Sequence, residues 1–231
     1  MVLRPPASPR LTDVDALELR GVVKRLPGPP DPVLDGVDLR VEQGRTFGVV
    51  GANGAGKTTL LRIAAGLLRP DSGTVTAGGL DPEHAPRTYH ARVAMLSADG
   101  GLYARLSVRR HLDWWASMAH VPRARRAAAI AATLDGFALR DLVDRRVERL
   151  SVGQRQRMRL AMTFLPHPSI LLLDEPDSSL DDDGLGLLAE RMREHAARGG
   201  ITVWAAPERN AAALECDELL LLRGGQLERT A

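Results

Sequence analysis

The sequence is poor in several residue types, and each shortage excludes a class of protein. Cys216 is the only cysteine, which excludes an internal disulfide and a cysteine metal cluster. Aromatic residues make up 3% of the chain, too few for the stacking platforms of nucleic-acid-binding proteins. The 31 basic and 29 acidic residues give a formal charge of +2 and no field of a single sign. We therefore expect no nucleic-acid partner.

The chain also lacks a long hydrophobic run. Apolar runs such as residues 170–173 and 219–222 are far shorter than the roughly 20 residues that a membrane-spanning helix needs. Pro5, Pro6 and Pro9 interrupt the region where a signal peptide would have its apolar core. The sequence thus predicts a cytosolic protein, and its 231 residues suffice for one α/β domain with a smaller subdomain.

A phosphate-binding motif occupies residues 51–59, which read GANGAGKTT and are called the phosphate loop below. A buried-strand pattern precedes it and a helical pattern follows it, which is the context that the motif requires. Its glycines let backbone N–H groups wrap a polyphosphate, and the helix start favours an anion. Lys57 is predicted to reach the β- and γ-phosphates of ATP, Thr58 to ligate Mg²⁺ and Thr59 to support the loop. The predicted nucleotide-binding residues are Gly51, Asn53, Gly54, Ala55, Gly56, Lys57, Thr58 and Thr59.

The remaining patterns divide the chain into a strand-rich part and a helical block. Residues 1–14 have no apolar period and are expected to be a disordered lead-in, so the domain begins near residue 15 and runs to 231. Strands are predicted at 16–23, 33–41, 73–77 and 92–96. Helices follow, with Ser107 as a predicted N-cap and with Leu112, Trp115 and Met118 sharing one face. An inserted helical subdomain is predicted at about 103–165.

Two later segments have patterns that suggest chemistry as well as structure. Ser151 and Gln154 fit a capping box at a helix start. Residues 170–175 read as a buried parallel strand that ends in Asp174 and Glu175, and such strand ends are where α/β ligand sites lie. Asp181 is predicted to cap the next helix. The alternative for the two acids is that they are solvated in a turn after the strand, and the alternative for Asp181 is a simple helix cap, which is compatible with a further role.

Together these motifs resemble the ATP-binding subunit of ABC transporters. The resemblance rests on the phosphate loop, LSVGQ at 150–154, DEP at 174–176 and SSLD at 178–181, and it covers about residues 16–228. The Ser-x-Gly-Gln element separates this family from other phosphate-loop ATPases. The resemblance implies an α/β fold: a phosphate-loop NTPase core of RecA-like type with an antiparallel β subdomain and an inserted α-helical subdomain. It also implies an ATPase on the cytoplasmic face of the membrane, attached to a transmembrane permease subunit.

The resemblance also implies roles for single residues. Two ATP-binding subunits, identical or not, would enclose two ATP molecules head to tail. Asp174 and Thr58 would hold Mg²⁺, Glu175 would be the general base, and Asp181 would lie at the dimer seam. Each subunit's signature would meet the γ-phosphate bound by its partner, with Val152 standing where the family usually has glycine; its residues are Ser151, Val152, Gly153 and Gln154.

Three residues that the family normally has are missing from this sequence. Leu26 stands where an aromatic residue would stack on adenine. Ala98 or a neighbour stands where a glutamine would touch Mg²⁺, and Pro207 stands where a histidine would contact the γ-phosphate. Losing one positioned donor typically costs about 10² to 10³ in rate. We therefore expect slow hydrolysis at this subunit's own site, unless Asp99 or Glu208 substitutes.

Three functions are compatible with these motifs. The first is an ATPase subunit that drives an exporter-type permease. The second is a weakly hydrolysing, nucleotide-holding subunit of a heterodimeric complex. The third is a soluble family member that acts on ribosomes or DNA, although such proteins commonly carry paired cassettes or long insertions. Tyr103, Trp114, Trp115 and Met118 lie where the family's helical subdomain receives a helix of the membrane subunit; one tryptophan could anchor that contact, whereas core packing is favoured for Trp115.

Overall fold

The computed structural model describes residues 14–28, 30–97, 101–208 and 215–230. This part of the chain forms two β-sheets and a helical block, in line with the predicted α/β class. The strands are β1 (Ala16–Lys24), β2 (Leu34–Glu42), β3 (Thr46–Gly51), β4 (Ser72–Ala77), β5 (Val93–Leu96), β6 (Ile170–Asp174), β7 (Ile201–Pro207), β8 (Glu218–Arg223) and β9 (Gln226–Arg229). The helices are α1 (Lys57–Ala64), α2 (Pro86–Arg92), α3 (Val108–Met118), α4 (Arg123–Gly136), α5 (Val152–Phe164) and α6 (Asp182–Ala197).

The smaller sheet is antiparallel and has the strand order β2-β1-β4. Strand β2 shows the reason: Val37, Leu39 and Val41 are buried and alternate with exposed polar residues. An alternation of period two gives a strand one apolar face, which must be covered by another layer. Here that face packs on α1 and on the larger sheet.

The larger sheet has the order β5-β6-β7-β3-β8-β9, and all neighbouring pairs are parallel except β8 with β9. Strand β6 is buried along its whole length. Ile170 and Leu172 belong to the core shared with the smaller sheet, whereas Leu171 and Leu173 belong to the core under the helices. The continuous apolar run therefore covers both faces of one strand, as parallel sheets require.

A helical block lies between β5 and β6 in the chain. It contains α3, α4, two single 3₁₀ turns at Arg140–Leu142 and Val147–Arg149, and α5. The Ser107 hydroxyl caps α3 by accepting the N–H of Arg110 at 3.4 Å. Leu112, Ala116 and Met158 are completely buried and join the helices to the larger sheet.

The structure corrects some expectations about local elements. Met118 is 58% exposed, so the predicted apolar face of α3 was wrong there; the buried face runs through Val108, Leu112 and Ala116. Helix α2 was not predicted, and it is held by the buried Tyr89 hydroxyl, which donates to the carbonyl of Ala64 at 2.6 Å. The predicted lead-in lies outside the described residues except for Val14, whose side chain is buried. Within the described ranges, no helix has the length and hydrophobicity to cross a membrane.

Candidate nucleotide-binding site

The phosphate loop joins the end of β3 to the start of α1. Gly54 and Gly56 have φ values of 81° and 105°, a left-handed conformation that side-chain-bearing residues rarely adopt. A Cβ on Gly56 would also come within 2.9 Å of the Val33 carbonyl, and one on Gly51 within 2.5 Å of the Leu222 carbonyl. Glycine at both positions therefore lets the loop pass close to its neighbours.

Lys57 is the first residue of α1, and its side chain folds back over the loop. Its ammonium group donates to the carbonyls of Gly51 and Ala52 at 2.8 and 2.9 Å. Burial lowers the pKa of Lys57, while the nearby carboxylates of Glu175 and Asp174 oppose that shift. The loop thus holds a desolvated cation beside two acids, at the amino end of a helix that favours anions.

Two residues far apart in sequence meet beside the loop. The Thr58 hydroxyl donates to a carboxylate oxygen of Asp174 at 2.7 Å, although 116 positions separate them. Asp174 is the last residue of β6 and is 5% exposed, so its carboxylate lies at the carboxyl edge of the sheet. This edge is where ligands bind in open α/β sheets.

The hydroxyl of Thr58 and the carboxylate of Asp174 are suitable ligands for Mg²⁺. This hard cation prefers oxygen donors and usually takes only one or two from protein, with water and substrate phosphates completing the shell. Within the described ranges no group of three or more His, Cys, Asp or Glu side chains could hold a metal ion. Thr58 and Asp174 would supply one oxygen donor each to such an ion.

Glu175 follows Asp174 in a strained backbone conformation. Its φ is 46°, in the left-handed region that non-glycine residues avoid, and strain of this kind often marks a functional site. Its N–H donates to the Ala205 carbonyl at 2.9 Å, which ties the turn after β6 to β7. The Glu175 carboxylate also opposes the lowering of the Lys57 pKa by burial.

The predicted signature residues form the start of α5. The hydroxyl of Ser151 accepts the N–H of Gln154 at 3.2 Å, and the Gln154 side chain accepts the N–H of Ser151 at 3.0 Å. The predicted capping box is therefore present. The N–H groups of Val152 and Gly153 have no acceptor within the helix, because the first helical bond runs from the Arg155 N–H to the Ser151 carbonyl. They therefore remain available to an anion.

The signature packs against the turn that follows Glu175. A Cβ on Gly153 would lie 2.9 Å from the Ser179 carbonyl, so glycine permits this approach. The buried Gln156 side chain donates to the Pro176 carbonyl at 3.0 Å. Asp181 then caps α6 by accepting the N–H of Gly184 at 2.9 Å, which is the predicted cap. Segment 175–181 thus connects the phosphate-loop side of the domain to the signature side.

The structure does not join the phosphate loop to the signature. Within the described ranges no hydrogen bond or ion pair links residues 51–59 to residues 150–154. The remaining loop residues, Asn53, Ala55 and Thr59, lie on the loop or in the first turn of α1.

The three positions where expected residues are missing lie in different surroundings. Leu26 is 38% exposed in the loop between β1 and β2. The last residue of that loop, Val33, lies against Gly56 of the phosphate loop. Pro207 is buried at the end of β7, opposite Gly51 in the parallel register. Ala98 and Asp99 lie outside the described residues, and Glu208 is exposed.

Sequence reasoning missed two contributors to this site. Gln156 fastens the signature helix to the turn after Glu175, and the carbonyls of Gly51 and Ala52 hold Lys57. The only sequence signal for the first was a polar residue on the inner face of a helix. The second had no signal, because any residue supplies a backbone carbonyl.

Comparisons with known proteins agree with this geometry. The family model for ABC transporters matches residues 34–178. The chain is 35% identical over 91% of its length to the probable multidrug ABC transporter ATP-binding protein YbhF of Escherichia coli K12, but it spans only 36% of that protein. It is 36% identical to the daunorubicin resistance ATP-binding protein DrrA3 of Streptomyces coeruleorubidus, over 74% of this chain and 54% of that one.

Two further similarities cover most of this chain and most of the protein that it is compared with. The ABC transporter ATP-binding protein NatA of Bacillus subtilis is 30% identical over 83% of this chain and 78% of its own length. A solved ATP-binding subunit of an ABC transporter superposes with a TM-score of 0.83 at 25% identity, covering 93% of this chain and 89% of that one. With the phosphate loop, the Thr58–Asp174 contact and the capped signature helix, these matches show that the chain belongs to the ABC transporter family, among its ATP-binding proteins.

Proposed function

We propose that this chain is the ATP-binding and ATP-hydrolysing subunit of a membrane exporter. The observation that carries the proposal is the meeting of Lys57, Thr58 and Asp174 at the carboxyl edge of the larger sheet. A lysine and loop amides for the phosphates, with a hydroxyl and a carboxylate for Mg²⁺, are the parts that a phosphate-loop ATPase needs. The names of YbhF and DrrA3 support export, since they refer to multidrug transport and drug resistance.

The residues of this chain would share the reaction as follows. Lys57 would leave the carbonyls of Gly51 and Ala52 and neutralise charge on the β- and γ-phosphates. The metal ion, when bound, would withdraw charge from the transferring phosphoryl group. Glu175 would accept a proton from the attacking water. The oxygen of that water would bond to the γ-phosphorus while the bond from the γ-phosphorus to the bridging oxygen breaks, and that oxygen would leave with ADP. Products would be ADP and phosphate.

A second subunit would complete the site. The free N–H groups at the start of α5 would face the γ-phosphate bound by the partner, and the helix dipole would favour that anion. Val152 is 58% exposed at this position, so its side chain would stand between the helix and the phosphate. Asp181, at the end of the connecting segment, would lie at the seam between the two subunits.

Pro207 supports the view that this subunit hydrolyses slowly by itself. Proline has no N–H and no side-chain donor, and it occupies the end of β7 beside Gly51 of the phosphate loop. A missing donor at the transferring phosphate costs about 10² to 10³ in rate. The same observation favours a second candidate, a nucleotide-holding subunit that works beside a non-identical partner which supplies the missing groups.

Energy from ATP would be passed to a transmembrane permease on another chain. Tyr103, Trp114 and Met118 are 55%, 38% and 58% exposed on the helical block. We call these three residues the aromatic patch, and we propose that the permease contacts it. Trp115 is instead half-buried and donates to the Met162 carbonyl at 2.7 Å, so its role is packing. The protein would thus lie on the cytoplasmic face of the membrane.

The rate of ATP hydrolysis by the purified chain tests this proposal. Wild type should bind Mg-ATP and turn it over slowly, and Glu175→Gln should abolish turnover but retain binding. Pro207→His combined with Ala98→Gln should raise the rate, because a donor returns beside the phosphate loop. Turnover near 10 s⁻¹ by wild type, an ordinary enzymatic rate, would refute the impaired site. Absence of ATP binding would refute the function altogether.

A further inference from the structure

A basic surface lies beside the aromatic patch. Residues 104–110 and 143–149 run side by side, joined by four backbone hydrogen bonds of 2.9–3.0 Å, including one from the Val108 N–H to the Arg145 carbonyl. We call these two segments the arginine strip. They contain six arginines and two acidic residues, a net charge of +4, in a chain whose total is +2. The rest of the chain therefore has a net charge of −2.

Most of this charge is not neutralised within the chain. Arg109 approaches Asp144 only at 3.8 Å, and Arg146 approaches Glu148 only at 3.6 Å. Four arginines of the strip are exposed and, in the part of the chain that the structure describes, have no carboxylate within ion-pair distance: Arg105, Arg110, Arg145 and Arg149. Like charges held this close repel one another, so an anionic partner would relieve the repulsion.

The strip also offers a place for a phosphate group. Arg145, Arg146 and Arg149 line an open cavity of about 740 Å³ together with Asp141, Val143 and Asp144. Guanidinium groups bind phosphate oxygens with two parallel hydrogen bonds and are weakly hydrated, which favours this pairing.

Exposed aromatic rings adjoin the strip. Tyr103 lies one residue before it, and its ring meets that of Trp114 edge to face at 5.1 Å. His111 holds the pair in place, since its Nε2 accepts the Tyr103 N–H at 3.0 Å. Tyrosine and tryptophan favour the headgroup zone of a bilayer, because their rings are apolar on one side and polar on the other.

We propose that the arginine strip binds anionic phospholipid headgroups of the membrane. The observations favour lipid over an acidic protein segment because the unpaired arginines are spread over two chain segments. Mobile headgroups can pair with each guanidinium separately, whereas a protein partner would need carboxylates at matching fixed positions. The inference rests on the proposed function only in placing the aromatic patch at the membrane. Each arginine near an anionic surface contributes about 1 kcal/mol, or roughly fivefold in affinity.

Sedimentation of the purified chain with lipid vesicles tests the strip. Wild type should bind vesicles of phosphatidylglycerol mixed with phosphatidylcholine, and should not bind phosphatidylcholine alone. Arg105→Gln with Arg145→Gln should weaken binding about 25-fold. The matched control is Arg123→Gln with Arg125→Gln, which removes the same charge from exposed positions on α4 and should change binding by less than about threefold. Salt at about 1 M, where the Debye length is about 3 Å, should release the protein.

Trp114 gives an independent reading of the same contact. In the purified chain, where no permease covers the aromatic patch, wild type should show a blue-shifted tryptophan emission on binding anionic vesicles, and Trp114→Phe should lose that shift. Equal binding to both vesicle types, or equal effects of the two double variants, would overturn the proposal. Binding to a solubilised permease but not to vesicles would assign the strip to a protein partner and also overturn it. Nucleotide binding, measured separately, should be unchanged by the strip variants, so a failure here is distinguishable from a failure of the proposed function.

Discussion

Replacing Lys57 by methionine should weaken ATP binding roughly thirtyfold. Methionine retains an unbranched apolar stem, so the change removes the charge and its hydrogen bonds with little loss of packing. Lys57 is only 6% exposed, and its ammonium group already has two carbonyl partners, Gly51 and Ala52. The effect of the substitution on ATP affinity is therefore the free-energy difference between the amine bound to these carbonyls and the amine bound to the phosphates.

The magnitude follows from the partners that the amine exchanges when ATP binds. A unit charge 4 Å from a phosphate charge is worth about 4 kcal/mol at an effective dielectric constant of 20. The amine gives up two carbonyl hydrogen bonds when it turns to the phosphates, each worth about 1 kcal/mol. The remaining 2 kcal/mol or so corresponds to roughly thirtyfold in Kd. Burial, which lowers the pKa of Lys57, makes the free state of this lysine still less favourable.

Isothermal titration with Mg-ATP measures this change directly. Arg125→Met is the matched control, since it removes one positive charge from an exposed position on α4 and should leave Kd unchanged. Thermal unfolding of both variants checks that the fold is intact. A Lys57→Met protein that folds and binds ATP within about threefold of wild type would refute the assignment of the lysine to the phosphates.

Two other variants test separate parts of the site and the fold. In a Glu175→Gln background, Val152→Gly should let ATP-dependent dimers form at roughly fivefold lower protein concentration, an effect of about 1 kcal/mol. Analytical ultracentrifugation measures this concentration, and Val152→Ala should give a value between those of valine and glycine. No change would contradict the proposed contact of Val152 with the partner's phosphate. Burial lowers the pKa of His195 to about 4, below the unfolded value near 6.5. The contribution of His195 to the free energy of unfolding is therefore complete above pH 6.5. It falls by about 2 kcal/mol at pH 5, because there the unfolded chain binds the proton and the folded chain does not. The melting temperature should fall accordingly, and an equal fall in His195→Gln would contradict this cause.

Much of the fold could be predicted because its elements have local signals. The capping box at Ser151 and Gln154, the N-caps Ser107 and Asp181, and the buried run of β6 each need only a few neighbouring residues. Helix α2 was missed because it has seven residues, and its apolar anchor is one tyrosine bonded to another helix. Met118 was assigned to the wrong face because Trp115 lies partly at the edge of the core.

The candidate site could be predicted in its residues but not in its connections. Glycines at 54 and 56 follow from the motif, and the structure shows the left-handed backbone that requires them. No sequence pattern predicted that Gln156 would reach the Pro176 carbonyl. Such bonds depend on how α5 packs against the turn after β6, which is a property of the assembled domain. The net charge of +4 on the arginine strip was likewise hidden by a total of +2.

The sequence by itself determined the family, the phosphate loop and the types of residue that the chemistry needs, because each of these is written in contiguous motifs. The resemblance implied that Thr58 and Asp174 share a metal ion, but only the tertiary structure showed that their side chains are hydrogen-bonded and that the signature helix packs on the turn after Glu175. The physical reason is that parallel strands bring distant chain segments to one edge. Helix α5, inserted between β5 and β6, then packs on the turn after β6, and that contact exists only in the folded domain.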